Sequence, residues 1–402
     1  MKKYVPVSLI ILFISMVFSS CQKEIDSKSL NNELNTSLTQ NNNTSYAVNS
    51  HTYGLIPMKA EQWEDVPNFT PDIFKSSIKS FGLNSPSVLA SSYLLYTPTV
   101  RDQKQIGSCT GFCGAETNEI LNYYKNGLNT SVSSGLYTST GLTTASSTNF
   151  SPTSTSAPYL SPLFIYYVER CIINKQKITV DNGAYMVNIG QALQGLTNNT
   201  GTGVALSGII ANKTYTFKGD CTESSYSYPT TGTNTSSQYI TAPNATAISE
   251  AGKYGISAQI GTTSSTGTTT TGYFVINSID PVKDVKTAIY NKKPVMMGFN
   301  VYDNKSYQIF EGLGVNGYAP SNYTYNPLNA NGTLKTGLTL LGGHAVPIVG
   351  YIDDANQPGG GLFICQNSWS TNWGNKGYFY LPYSVLKSTS IVAPGSLYVA
   401  II

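Results

Sequence analysis

Apolar side chains recur at near-helical spacing in four stretches, and short apolar runs of another kind dominate the C-terminal part of the chain. In the first stretch Ser108 is placed to cap a helix beginning at Cys109, with Phe112, Ala115, Ile120 and Tyr124 near helical spacing and Asn126-Gly127 as the stop. Ser161-Pro162 opens a second through Leu163, Ile165, Tyr166 and Val168, since a capping serine before proline at the first helical position is a start signal. A third is predicted over Ala184–Leu196. Asp280-Pro281 opens a fourth with Val282, Val285 and Ile289 on one face, and it leads directly into an apolar strand over Val295–Tyr302. Beyond it, Ala345–Ile352, Leu362–Asn367, Tyr378–Leu381 and Leu397–Ile402 are β-branched or aromatic runs separated by Gly, Pro and Asp turns, as antiparallel strands require. A helical lobe (about residues 98–275) is thus followed by a sheet lobe (about residues 276–402), an α+β plan.

Three stretches rich in Ser, Thr, Gly, Asn and Tyr interrupt this plan: Leu128–Ala157, Thr222–Thr271 and Tyr318–Gly337. They read as long insertions, and loops beyond about 15 residues are usually functional or disordered. The N-terminus has a different character. Lys2 and Lys3 precede an apolar stretch, Tyr4–Phe18, that is too short for a permanent membrane span and fits a secretory signal over residues 1–20. Phe18-Ser19-Ser20-Cys21 resembles the lipobox of bacterial lipoproteins, with Phe18 in place of the usual leucine, and this implies lipidation at Cys21. Gln22–Asp26 resembles a short Lys/acidic signal that sends some lipoproteins to the outer face of the outer membrane. The expected location is therefore the outer membrane, anchored by lipid and open to surface exposure. Residues 21–50 carry no apolar period and read as a disordered tether, which leaves 51–402 as the folded domain.

Charge removes several classes of function. Charged residues make up 11% of the chain, against roughly 25% in an average soluble protein. The 24 Lys and Arg against 21 Asp and Glu give a net charge of +3, with no electrostatic case for nucleic acid. Two histidines and no Cys-x-x-Cys spacing supply too few ligands for zinc, so neither a metal nor a cofactor is expected. His51, at the edge of the tether, reads as a linker histidine without a partner. Apart from Cys21 and Cys109, the thiols are Cys113, Cys171, Cys221 and Cys365, with three pairings open; Cys113 and Cys365 read as buried core thiols.

The remaining histidine belongs to a chemical set. Cys109 sits at a helix N-terminus, where unpaired N–H groups and the helix dipole favour thiolate. Gln103, six residues upstream, carries a neutral amide donor that can bind an oxyanion together with the Cys109 N–H. His344, heading an apolar strand after Gly342-Gly343, is the candidate base, and Asn367 at the end of the next strand can hold its imidazole, with Trp369 shielding the bond.

Gln103-x-x-x-Gly107-Ser108-Cys109, then His344-Ala-Val-x-x-Val-Gly-Tyr351, then Asn367-Ser-Trp369-x-x-x-Trp373-Gly-x-x-Gly-Tyr378 resemble, in order, the motifs of the papain-like cysteine peptidases. Tyr53–Met58 and Ser161–Tyr167 are similar to stretches of the bacterial branch. The resemblance covers roughly Tyr53–Ile402 and implies a two-lobed fold with the site between the lobes. It implies Cys109 as nucleophile, His344 as base and acid, Asn367 as orienter and Gln103 in the oxyanion hole. Asp181–Tyr185 looks like the family's Asn-Gly-Gly substrate strand, which implies that main-chain groups of Gly183 and Ala184, with Gly107 and Trp369 nearby, bind an extended peptide. A monomeric endopeptidase acting on proteins or peptides is the favoured expectation, an exopeptidase or peptide ligase with the same site is its variant, and a surface binding protein on an unused peptidase scaffold is the alternative.

The departures are specific. Cys109 and His344 are about 100 residues further apart than the roughly 130–150 usual in the family, an excess that the three insertions absorb. Thr110 stands where plant and animal members carry tryptophan, and Ile106 and Asp181 replace a disulfide of papain itself. No inhibitory helical prosegment is readable between Ser27 and Pro98.

Overall fold

One long strand, Thr339–Asp353, organises the pairing, because its β-branched and small residues let both edges and both faces be covered. In the computed structural model the described residues are 51–69, 89–126, 157–195, 214–256, 267–304, 308–313 and 323–402, with short strand segments at 137–138, 141–142, 149–150, 153–154, 200–202 and 260–264. All lie within one unit, Asn49–Ile402. The signal over residues 1–20, Cys21, the tether over 21–50 and most of the Leu128–Ala157 insertion lie outside the described residues.

The elements that place the site are β1 (Ser92–Leu94), α1 (Cys109–Lys125), α2 (Pro162–Tyr167), α3 (Met186–Gln194), β2 (Tyr273–Val275), α4 (Pro281–Tyr290), β3 (Val295–Asp303), β4 (Thr339–Asp353), β5 (Gly361–Gln366), β6 (Tyr378–Pro382) and β7 (Leu397–Ala400). The strands form one sheet in the order β2-β7-β3-β4-β5-β6, with β1 also on β4, and every pairing is antiparallel. The fold is the α+β, two-lobed plan. Two apolar clusters mark the lobes: one joins the sheet to α4 through Val285, Ile289, Phe299, Val346 and Phe379, the other joins α1, α2 and α3 through Leu121, Phe164, Ile165 and Ile189. Neighbours on β4 divide between them, Ala345 to the helical cluster and Val346 to the sheet cluster, because successive strand residues face opposite ways.

Local rules hold at α4, where the Asp280 carboxylate accepts from the Lys283 N–H, and at α3, which ends at Gly195 with φ +70°. Two expectations shift. The α-helix from Pro162 ends at Tyr167 and continues as a wider π-helical turn, Val168–Ile173. Ser108 precedes α1 without capping it; its hydroxyl shares a 2.5 Å hydrogen bond with Tyr228. Tyr228 belongs to the Thr222–Thr271 stretch, whose described part packs behind α1 with Tyr226 and Tyr239 buried.

Phe310 is the keystone of an aromatic cluster, with ring contacts to Phe299, Tyr325, His344, Trp369, Trp373 and Phe379. Phe310→Ala is expected to cost about 3–5 kcal/mol, read as a lower denaturant midpoint at unchanged slope.

Candidate active site

Gly107 is fixed by a carboxylate: its N–H donates to Asp181 Oδ2 at 3.0 Å, and Tyr166 donates to the other oxygen. This bond fastens the Cys109 segment to the Gly183 segment. The chain then enters α1 at Cys109, so the thiol sits over the positive end of a 17-residue helix. Backbone N–H groups of Gly54, Ala345 and Thr110 face its sulfur.

Ala345 is next to His344, so β4 and α1 meet at the thiol. The His344 ring lies opposite Phe299 in the ladder, buried, with Nε2 2.7 Å from Asn367 Oδ1. Asn367 Oδ1 also accepts from the Ser368 N–H at 2.9 Å, which marks it as the acceptor. His344 Nε2 therefore carries the proton, and Nδ1, buried without a hydrogen-bond partner, keeps its lone pair. Trp369 covers this pair, its ring 5.0 Å from that of His344.

Residues 51–58 cross the site as an extended strap. Ala184 donates to the Gly54 carbonyl and accepts from the Ile56 N–H, both at 2.9 Å, while Leu55 donates to the Gly343 carbonyl at 3.1 Å. The strap is thus hydrogen-bonded to both lobes. Passage is possible only because Gly54 lacks a side chain: a Cβ there would stand 1.7 Å from the Gly107 carbonyl oxygen. The Leu55 side chain occupies space beside Met186 that a Cβ on Gly298 would take. At the near end His51 stacks on Trp369, with ring centroids 4.4 Å apart, and its Nε2 is 3.6 Å from Asp102 Oδ1. Tyr53 donates to Glu311 Oε1 at 2.9 Å.

This strap corrects three readings. His51 is not a partnerless linker residue, because the strap carries it onto Trp369. Gln103 does not offer a free amide: its Nε2 donates to the carbonyls of Thr52 and Ile106, both at 3.0 Å, and its Oε1 accepts from Ser368. Of the Gly183-Ala184 pair, only Ala184 presents its groups to an extended chain; the Gly183 N–H is bonded to Tyr166 and its carbonyl to Gln176. The five described cysteines are free thiols, so none of the three pairings forms. Cys109, Gln103, Gly107, Ala184, His344, Asn367 and Trp369 converge here, with Gly183 just behind; Cys21 lies outside the described residues. Sequence reasoning missed Asp181 and Tyr228 as supports. Tyr228 bridges Ser108 and the Gln103 carbonyl, a role that nothing in its own Ser/Thr-rich segment signals.

Burial under the strap sets the charge state. It pushes the Cys109 thiol up to about 12, against the N–H groups that favour thiolate. It pushes His344 down to about 4, against the Asn367 bond that favours imidazolium. Between those values both groups are neutral, a thiol and an imidazole.

A family model described as papain family cysteine protease matches residues 207–393, which hold His344, Asn367 and Trp369 but not Gln103 or Cys109. The chain is similar to an uncharacterized peptidase C1-like protein of Acanthamoeba polyphaga mimivirus, 26% identical over 28% of this chain and 30% of that protein. It is also similar to cathepsin B-like cysteine proteinase 5 of Caenorhabditis elegans, 32% identical over 24% of this chain and 22% of that protein. It therefore spans less than a third of the length of either relative. Among solved structures, xylellain, a cysteine protease from Xylella fastidiosa, aligns with a TM-score of 0.55 and 22% identity, covering 87% of this chain and 95% of its own. That likeness is one of fold.

Gly54→Val cannot pass Gly107 and is expected to expel the strap. Iodoacetamide alkylation of Cys109 at pH 7 should then rise by at least about tenfold, each decade standing for ~1.4 kcal/mol of strap opening. An unchanged rate would mean that something other than the strap shields the thiol.

Proposed function

We infer that the chain is a papain-like cysteine peptidase, that it hydrolyses peptide bonds at Cys109, and that the arrangement described above is its covered form. One observation carries this reading: a buried imidazole whose Nε2–H is tied to Asn367 and whose free Nδ1 belongs to the strand that meets the Cys109 thiol. In the open form the sulfur passes its proton to His344 and attacks a peptide carbonyl. The oxyanion is held by Gln103 Nε2 and the Cys109 N–H, and the Thr52 carbonyl on Gln103 marks where an acyl oxygen would be received. His344 then protonates the leaving amine, and water, deprotonated by His344, hydrolyses the thioester. Asn367 keeps the ring in the tautomer both steps need.

Removing the strap returns water to the site. That lowers the thiol pKa from its buried value and raises that of His344, which moves the pair toward thiolate and imidazolium. The strap itself favours an endopeptidase: it enters over Trp369 at His51 and continues past Ala184 to Met58, so an extended chain fits with residues on both sides of Cys109. The natural setting is a lipid-anchored enzyme in the outer membrane, tethered through Cys21.

Cys109→Ala and His344→Ala are expected to abolish cleavage of an unstructured protein such as casein, losing at least about 10³-fold in turnover, while Gln103→Ala loses about 10²–10³-fold. Cleavage undiminished in Cys109→Ala would reject the mechanism; binding without cleavage in the wild type would favour a scaffold. Cys21→Ser should move the protein from the membrane to the soluble fraction after cell lysis; retention in the membrane would remove the anchor.

A further inference from the structure

Behind the thiol lies a carboxyl group that the mechanism above does not use. Thr110, which follows Cys109, donates from Oγ1 to Glu169 Oε2 at 2.6 Å, and both residues are fully buried. Glu169 is delivered by the π-helical turn Val168–Ile173, and such turns displace side chains from their regular face and gather at functional sites. Its other oxygen, Oε1, is buried without a hydrogen-bond partner. The adjacent Arg170 aims elsewhere: its Nη1 donates to the Ile178 and Val180 carbonyls, and its guanidinium lies 4.5 Å and 4.4 Å over the Tyr166 and Tyr239 rings. A buried carboxyl with one hydrogen bond and no cation bonded to it retains its proton. Burial accordingly pushes Glu169 up to about 8, against smaller opposing effects of Thr110 and Arg170. The titratable groups on its other side are the α1 thiols Cys109 and Cys113, and a negative charge on Glu169 disfavours both thiolates.

We propose that Glu169 is a positioning residue for the nucleophile: its protonated carboxyl holds Thr110, and with it the first turn of α1, while keeping the space behind Cys109 free of negative charge. The proposal rests on the reading of Cys109 as nucleophile. When Glu169 ionises, the thiolate acquires a like-charged neighbour and forms less readily. The alkaline side of the Cys109 profile is then set by Glu169 as well as by the thiol and His344.

The test compares alkylation of Cys109 by iodoacetamide, read by peptide mass, in the full chain and in Glu169→Gln from pH 6 to pH 10. Glutamine keeps the shape and the partner for Thr110 but cannot ionise. The ratio of variant to wild-type rate is expected to climb about tenfold across that range, the effect of one pKa unit on the thiol. Strap opening gates both proteins and cancels in the ratio. Thr110→Val removes the hydrogen bond that favours the carboxylate, so its rate should depart from wild type in the alkaline range, with Glu169 ionising at higher pH. A constant ratio for Glu169→Gln, or a Thr110→Val profile that overlays wild type, overturns the proposal. Because the readout is alkylation, a climbing ratio in a protein that cleaves no peptide retains Glu169's role and rejects the peptidase reading; a flat ratio in an active peptidase does the reverse.

Discussion

Gly54 crosses Gly107 so closely that a methyl group on it would strike the Gly107 carbonyl, and Gly183, at φ +78°, closes on Gly54 from the other side. This three-way approach of bare backbone fixes the strap between the lobes. The chemistry of the covered site is tied to it, since the strap sets the Gly54 N–H on the Cys109 sulfur, the Tyr53 ring edge-on to His344 at 6.0 Å and the Thr52 carbonyl on the Gln103 amide. Larger side chains at these positions would hold the lobes' polar groups apart from the strap, with their hydrogen bonds unmade.

The sheet and the helical lobe share their boundary at β4. Its alternation sends Ala345 toward α1 and Val346 into the sheet core, and this places His344 at the seam. The aromatic cluster around Phe310 then holds the imidazole and Trp369 from the sheet side. Precision here comes from packed rings and a 2.7 Å hydrogen bond. The Asp181 carboxylate joins the Cys109 segment to the Gly183 segment by hydrogen bonds, and these depend on burial and alignment in a way a covalent link would not.

Buried polar groups differ in what supports them. Asn367 Oδ1 receives two donors and so dictates the histidine tautomer. Gln103 has three partners, and one of them, the Thr52 carbonyl, leaves when the strap leaves. In the proposed open form an amide donor and the thiol become accessible together, which couples access to chemistry in one motion.

Much was legible from residues close in sequence. Pro281 behind Asp280 started a helix, and the types and order of Gln103, Cys109, His344, Asn367 and Trp369, through the motifs they resemble, pointed to one reaction class. The π-helical turn after Tyr167 was not legible, because the periodicity of Leu163 to Val168 continues into it and only packing decides between the two helical forms. Tyr228 was hidden in a Ser/Thr-rich stretch, and its role depends on Ser108, 120 positions away. His51 looked idle because its partners, Asp102 and Trp369, lie far along the chain. By itself, then, the sequence determined most of the helices and strands and offered the candidate reactive residues and their order, since short-range sterics, capping and side-chain chemistry need only neighbouring residues. Only the tertiary structure decided that the site is covered, that its thiol and imidazole are neutral, and that Glu169 lies behind them. Those facts arise from contacts between distant segments and from the burial they create.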